Sequence, residues 1–162
     1  IIMAVLKPWT PVEVKKENGN YKISVWNRSY TLDGQSVMFS SIMSAGVELL
    51  SSPIRFVGKI NGKEVIFEKA VTRLMMGSTD ESCTVISTFQ SDLLVINASH
   101  TVEFDGCDNI TLSFMPTGKS PAATFGLEEF DVDAFNVESI IMEVPVKKHL
   151  IFVSLKKKQW IV

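Results

Sequence analysis

The run Val25-Trp26-Asn27-Arg28-Ser29-Tyr30 holds the residue types of this sequence best suited to recognition chemistry. Read as one strand, it places Trp26, Arg28 and Tyr30 on one face, because side chains alternate between the faces of a strand. An arginine between two aromatic rings can stack on both, each contact contributing about 0.5–2 kcal/mol. Two readings follow. In the first, the rings stack on the C–H groups of a sugar while the guanidinium donates to its hydroxyls, so Trp26, Arg28 and Tyr30 form a carbohydrate platform. In the second, the stack is structural, at a sheet edge or domain interface, and Arg28 joins a polar cluster with Glu103 and Asp105. The second is favoured, since packing features outnumber binding sites on most strands.

Glu103 and Asp105 are the other candidates for chemistry. A pair of carboxylates about 5–10 Å apart across a cleft can act as the acid and base of glycoside hydrolysis. Two residues apart on one strand they point the same way and lack that opposed arrangement. Asp105 before Gly106 is more simply a turn former. The acids Glu128, Glu129, Asp131 and Asp133 lack the glycine and distal glutamate of an EF-hand loop. His100 and His149 stand apart, without metal-ligand spacing. No nucleophile elbow or phosphate-binding glycine loop is present in the sequence. No catalytic residue, metal or other cofactor is therefore expected.

The elements that carry these residues follow a period of two. Tyr21, Ile23 and Val25 alternate with Lys22, Ser24 and Trp26, so residues 20–32 read as a strand. Ile54–Ile60 and Lys63–Phe67 flank Asn61-Gly62, the dipeptide that forms two-residue hairpin turns because both positions take positive φ. Short strands follow at 72–76, 83–89, 93–104, 110–115, 137–146 and 150–155. Ser44–Leu50 fits a helical turn, a strand or a turn. Pairing 83–89 with 93–104 places Cys83 near Ser99 and short of Cys107, so both cysteines are read as free. Roughly nine or ten short strands separated by turn residues predict an all-β, antiparallel β-sandwich. Thr117–Asn136, with Gly118, Pro121, Gly126 and four acids, reads as a long acidic loop.

The bulk numbers agree with a globular domain. The 162 residues are 46% hydrophobic and 21% charged, which suits a single domain spanning 1–162 with its own core. A net charge of -2 supplies no global footprint for nucleic acid, and the lysines at 147–148 and 156–158 read as a solvated strand edge. No apolar run reaches the length of a membrane span. No signal peptide is read at the N-terminus. Because the chain begins with Ile and ends Trp160-Ile161-Val162, it reads as a fragment or N-terminal module of a longer protein.

Several stretches, taken in order, carry a resemblance. They are Lys7-Pro8-Trp9-Thr10-Pro11, Val25 to Tyr30, Ser41 to Leu50, Ser52-Pro53-Ile54-Arg55, Glu103-Phe104-Asp105-Gly106 and Ile140 to Val146. This order resembles the N-terminal β-sandwich domain of multidomain bacterial proteins similar to family 123 glycoside hydrolases, in which the sandwich precedes a (β/α)-barrel that carries catalysis. The sequence departs from that pattern at Asn27, where the family has Gly, and in the loop at 117–136, which reads as an insertion. The resemblance implies a non-catalytic accessory module of a carbohydrate-active protein, secreted or in the cell envelope of a bacterium. Its partners would be the catalytic domain of the same parent chain and a weakly bound glycan. The alternatives are a stand-alone enzyme using Glu103 and Asp105, and an interaction module of a surface adhesin.

Overall fold

The computed structural model describes residues 5–75, 78–91, 94–117 and 136–148. Their secondary structure is almost wholly strand, and all pairings are antiparallel. A five-stranded meander runs through β1 (Glu13–Glu17), β2 (Asn20–Val25), β3 (Arg28–Leu32), β4 (Ser41–Ser44) and β5 (Val47–Glu48). A three-stranded sheet has the order β12-β6-β7, formed by Val137–Glu143, Arg55–Ile60 and Lys63–Phe67. A four-stranded sheet has the order β11-β10-β9-β8, formed by Asp108–Pro116, Leu94–Glu103, Ser82–Gln90 and Val71–Leu74. The described residues thus hold twelve strands, where sequence periodicity gave nine or ten.

Two apolar clusters show how the sheets form layers. Cys83, Val85 and Val102, at one end of the four-stranded sheet, pack with Tyr21, Ile23, Val25, Tyr30 and Leu32 of the meander. Phe89, Leu94, Ile96 and Ala98, at its other end, pack with Phe56, Ile60 and Phe67 of the three-stranded sheet. One long sheet therefore forms one layer, and the meander and the small sheet share the other. This is a β-sandwich, and the strict alternation of buried residues along β9 and β10 is the period-two signal that predicts it. The segment Ser36–Phe39 is buried without being a strand, and its residues join both clusters.

Turn chemistry sets the registers. Asn61-Gly62 closes the β6–β7 hairpin with φ of 51° and 74°, as the sequence predicts. The same dipeptide at Asn18-Gly19, which periodicity alone passed over, closes β1–β2 with φ of 52° and 85°. Ala45-Gly46 closes β4–β5, so Ser44–Leu50 contains a hairpin and no helical turn. The β9–β10 pairing differs from the expected one by three residues: Cys83 lies opposite Val102, not Ser99. Both cysteines are free, Cys83 buried and Cys107 exposed. Burial pushes the Cys83 thiol up to about 11. Most of the predicted loop at 117–136 and the strand at 150–155 lie outside the described residues.

Glu48 fastens the last hairpin of the meander. Its carboxylate accepts a short hydrogen bond from the Ser41 hydroxyl and backbone N–H bonds from Ile42, at 3.1 Å, and Leu50, at 2.9 Å. Burial acts to raise its pKa, but these donors and nearby Lys147 together hold it below the ordinary 4.5. A carboxyl with a lowered folded pKa stabilises the fold above its unfolded value, and that contribution is lost as pH falls through the folded value. Glu48→Ala is expected to cost about 1–3 kcal/mol near neutral pH, because it strands two N–H donors. Urea unfolding at pH 7 and at pH 3 should show the wild-type advantage at pH 7 and its shrinkage in acid.

Candidate functional site

Three segments far apart in sequence meet at one end of the sandwich. The first is the approach to β1, which carries Trp9. The second is the turn between β2 and β3. Val25 pairs with Arg28, so Trp26-Asn27 is a two-residue hairpin turn, with Asn27 at φ 56°. The third is the turn after β10, at Phe104–Cys107. There the Gly106 N–H donates to the Glu103 carbonyl and the Cys107 N–H donates to Asp105 Oδ1 at 2.8 Å. Trp9 packs edge-on against both other segments, with ring centroids 5.2 Å from Trp26 and 6.0 Å from Phe104.

The hairpin corrects the expected strand over 20–32. Trp26 occupies the turn and does not share a strand face with Arg28 and Tyr30. Arg28 and Tyr30 do share a face of β3, and it is the face of their cross-strand neighbours Val25 and Ile23. Tyr30 is accordingly buried, while Arg28 lies at the rim of that core face and is exposed. The signal for this turn was Asn27 itself, since asparagine tolerates positive φ better than other non-glycine residues. The Asn27 carbonyl also accepts the Ala45 N–H, at 2.7 Å, which ties this turn to the β4–β5 turn.

Arg28 and Tyr30 converge on one acceptor. The Tyr30 hydroxyl donates to the Gly106 carbonyl at 2.6 Å, and Arg28 Nη1 donates to the same oxygen at 3.2 Å. Burial pushes the Tyr30 phenol up, partly opposed by Arg28. Arg28 is therefore brought to the turn that contains Asp105, but through a backbone carbonyl. Among the described residues, the arginine and lysine ion pairs are Arg55–Glu143 and Lys59–Glu138, and none joins Arg28 to Glu103 or Asp105. The cation–π contact among them is Lys16 over Tyr21, so Arg28 is not stacked between Trp26 and Tyr30. Asp105 lies in the turn beyond the end of β10, not on a strand face shared with Glu103. Both carboxylates are exposed, and Asp105 is engaged in capping its own turn.

His100 has a structural task that sequence spacing could not reveal. It is fully buried in β10 beneath the Phe39 ring, at 4.6 Å between centroids. Its Nε2 lies 3.0 Å from the Val37 carbonyl and its Nδ1 lies 3.1 Å from Asp108 Oδ2. Both ring nitrogens are thus occupied and none faces a cleft. No group of three or more potential metal ligands occurs among the described residues. No helix of the described residues is long and apolar enough to cross a membrane.

A scan against protein-family models finds none that matches this chain, and a search of curated proteins finds no match.

Proposed function

We propose that this chain is a non-catalytic β-sandwich module of a carbohydrate-active protein, which uses the end built by Trp9, Trp26, Phe104 and Arg28 to contact the parent's catalytic domain and a glycan weakly held there. A bacterial secreted or cell-envelope setting belongs to the same reading. The observation that supports it is the convergence at this end of the three segments holding Trp9, Trp26 and Phe104. The stretches that carry the resemblance to the sandwich domains of proteins similar to family 123 glycoside hydrolases include all three. Rings packed edge to face keep a fixed shape, so little side-chain entropy is lost when a partner settles on them. Trp26 leaves 38% of its surface open. Arg28 has five N–H donors, of which one is given to Gly106. The others suit the hydroxyls of a sugar or a carboxylate of an adjoining domain.

The enzyme alternative needs two opposed carboxylates, and Asp105 is engaged in its turn. Glycan-array screening followed by titration of the best hit tests the proposal. Trp26→Ala is expected to weaken binding about tenfold, the loss of one aromatic contact, and to lower the melting temperature through lost packing on Trp9, so binding is compared well below both midpoints. Turnover of aryl glycosides that disappears in Asp105→Asn would overturn the proposal in favour of an enzyme. Binding that is indifferent to Trp26→Ala and Arg28→Ala would place the contact elsewhere.

A further inference from the structure

Six strands of the described residues lie at sheet edges: β1, β5, β7, β8, β11 and β12. An edge presents unpaired N–H and C=O groups, and charged side chains are a common means of keeping a second strand away. β1 carries Glu13, Lys15, Lys16 and Glu17, β7 carries Lys63 and Glu64, β8 carries Arg73, and β12 carries Glu138 and Glu143, while β5 has two residues. β11 is nine residues long, yet from Asn109 to Met115 it has no charge. It also exposes apolar surface along this stretch, with Ile110 39%, Phe114 40% and Met115 46% accessible.

This edge, open among the described residues, has a defined hydrogen-bonding phase. The Glu103 N–H donates to the Cys107 carbonyl at 2.9 Å, just beyond the start of the β10–β11 ladder. Antiparallel ladders alternate, so Asn109, Thr111, Ser113 and Met115 are the residues that bond to β10. Ile110, Leu112 and Phe114 direct their N–H and C=O groups to the open side. A two-fold axis at Leu112 would place Leu112 against Leu112 of a second copy and Ile110 against Phe114. On the other face it would place Thr111 against Ser113 and Asn109 against Met115. Aliphatic meets aromatic, hydroxyl meets hydroxyl, and no charge opposes a like charge. The same operation on β1, centred on Lys15, would oppose lysine to lysine and Glu13 to Glu17.

We propose that β11 is a dimerisation edge, pairing antiparallel about Leu112 with β11 of a second copy of this chain. Each four-stranded sheet then continues into that of the other copy, and three N–H groups from each strand gain acceptors.

Sedimentation equilibrium of the full chain over a range of concentrations tests this, with two variants of equal size. Thr111 and Ser113 point to the exposed outer face, so charging them leaves the monomer's packing intact. The double substitution Thr111→Lys with Ser113→Lys sets lysine opposite lysine twice across the axis and is expected to weaken the dimer at least about tenfold. The double substitution Thr111→Lys with Ser113→Glu sets lysine opposite glutamate in the same register and is expected to keep the dimer or tighten it. A wild-type chain that stays monomeric up to its solubility limit overturns the proposal. So does a dimer that ignores both variants, or one that both variants disrupt alike. Far-ultraviolet circular dichroism of each variant confirms that the sandwich is formed.

Discussion

His100→Leu is expected to lower the free energy of unfolding by about 3–5 kcal/mol, a large share of the roughly 5–15 kcal/mol that holds a domain of this size together. The cost does not come from lost volume, since leucine fills most of the space of an imidazole. It comes from what the ring leaves behind. Ser36–Phe39 runs through the interior without belonging to a sheet, so each of its polar groups needs a partner of its own. The Met38 N–H finds the Ser36 hydroxyl, and the Phe39 carbonyl accepts the Ile54 N–H. The Val37 carbonyl finds His100 Nε2. Leucine would strand that carbonyl and also the Asp108 carboxylate, whose side chain is 10% exposed and whose Oδ1 has no partner among the described residues.

The same geometry predicts a contrast. A carbonyl only accepts, so Nε2 must carry a hydrogen. Nδ1 faces a carboxylate oxygen, so one further proton lies between His100 and Asp108, on one or the other. Asparagine at 108 can donate to a bare Nδ1 or accept from a protonated one, so the contact is kept in either case. Asp108→Asn should therefore cost within about 1 kcal/mol, far less than His100→Leu. Urea unfolding of both variants decides the matter. Equal losses would mean that the pair is held by its charge, not by the hydrogen bonds.

How far the sequence could be read depended on the range of the interaction concerned. Asn61-Gly62 acts within its own four residues, and its hairpin was legible to the residue. The alternation of β9 and β10 was legible for the same reason: each residue's face is set by its neighbours. Trp26-Asn27 shows where this fails. A strand that reverses through a two-residue turn shifts the phase of its alternation by one, because Val25 and Arg28, three apart, fall on the same face as a cross-strand pair. Reading 20–32 as continuous overlooks that the apolar positions pass from odd (Tyr21, Ile23, Val25) to even (Tyr30, Leu32), and that switch, with the positive φ open to Asn27, marks the reversal. The contacts that build the candidate site were beyond this kind of reading. Trp9 meets Trp26 and Phe104, and Arg28 meets Gly106, across separations that no local pattern encodes. The ordered motifs did mark these segments, but not what each side chain does in them. Arg28 was expected to seek the nearest acids and is instead held by a carbonyl.

Gly106 is where that difference can be measured. Its φ is 82°, in a region L-residues rarely adopt, and a Cβ there would lie 2.8 Å from both Cδ and Nη1 of Arg28. Gly106→Ala thus carries two separable costs. One is backbone strain, about 1–3 kcal/mol for a non-glycine residue at such a φ. The other is displacement of the Arg28 side chain, which gives up its bond to the Gly106 carbonyl and its packing on the turn, about 1 kcal/mol. The total, about 2–4 kcal/mol, should appear as a lower midpoint in urea. Strain belongs to position 106 alone, whereas the clash exists only while Arg28 is long. In an Arg28→Ala background the same Gly106→Ala change should therefore cost about 1 kcal/mol less, a coupling that a double-mutant cycle resolves. A coupling near zero would mean that the guanidinium is not seated on Gly106 in solution. Arg28 would then face the proposed partner without the support of this turn, and Gly106→Ala would leave binding at Trp26 untouched. With the coupling present, Gly106→Ala should weaken binding as much as Arg28→Ala does, although residue 106 contacts no ligand.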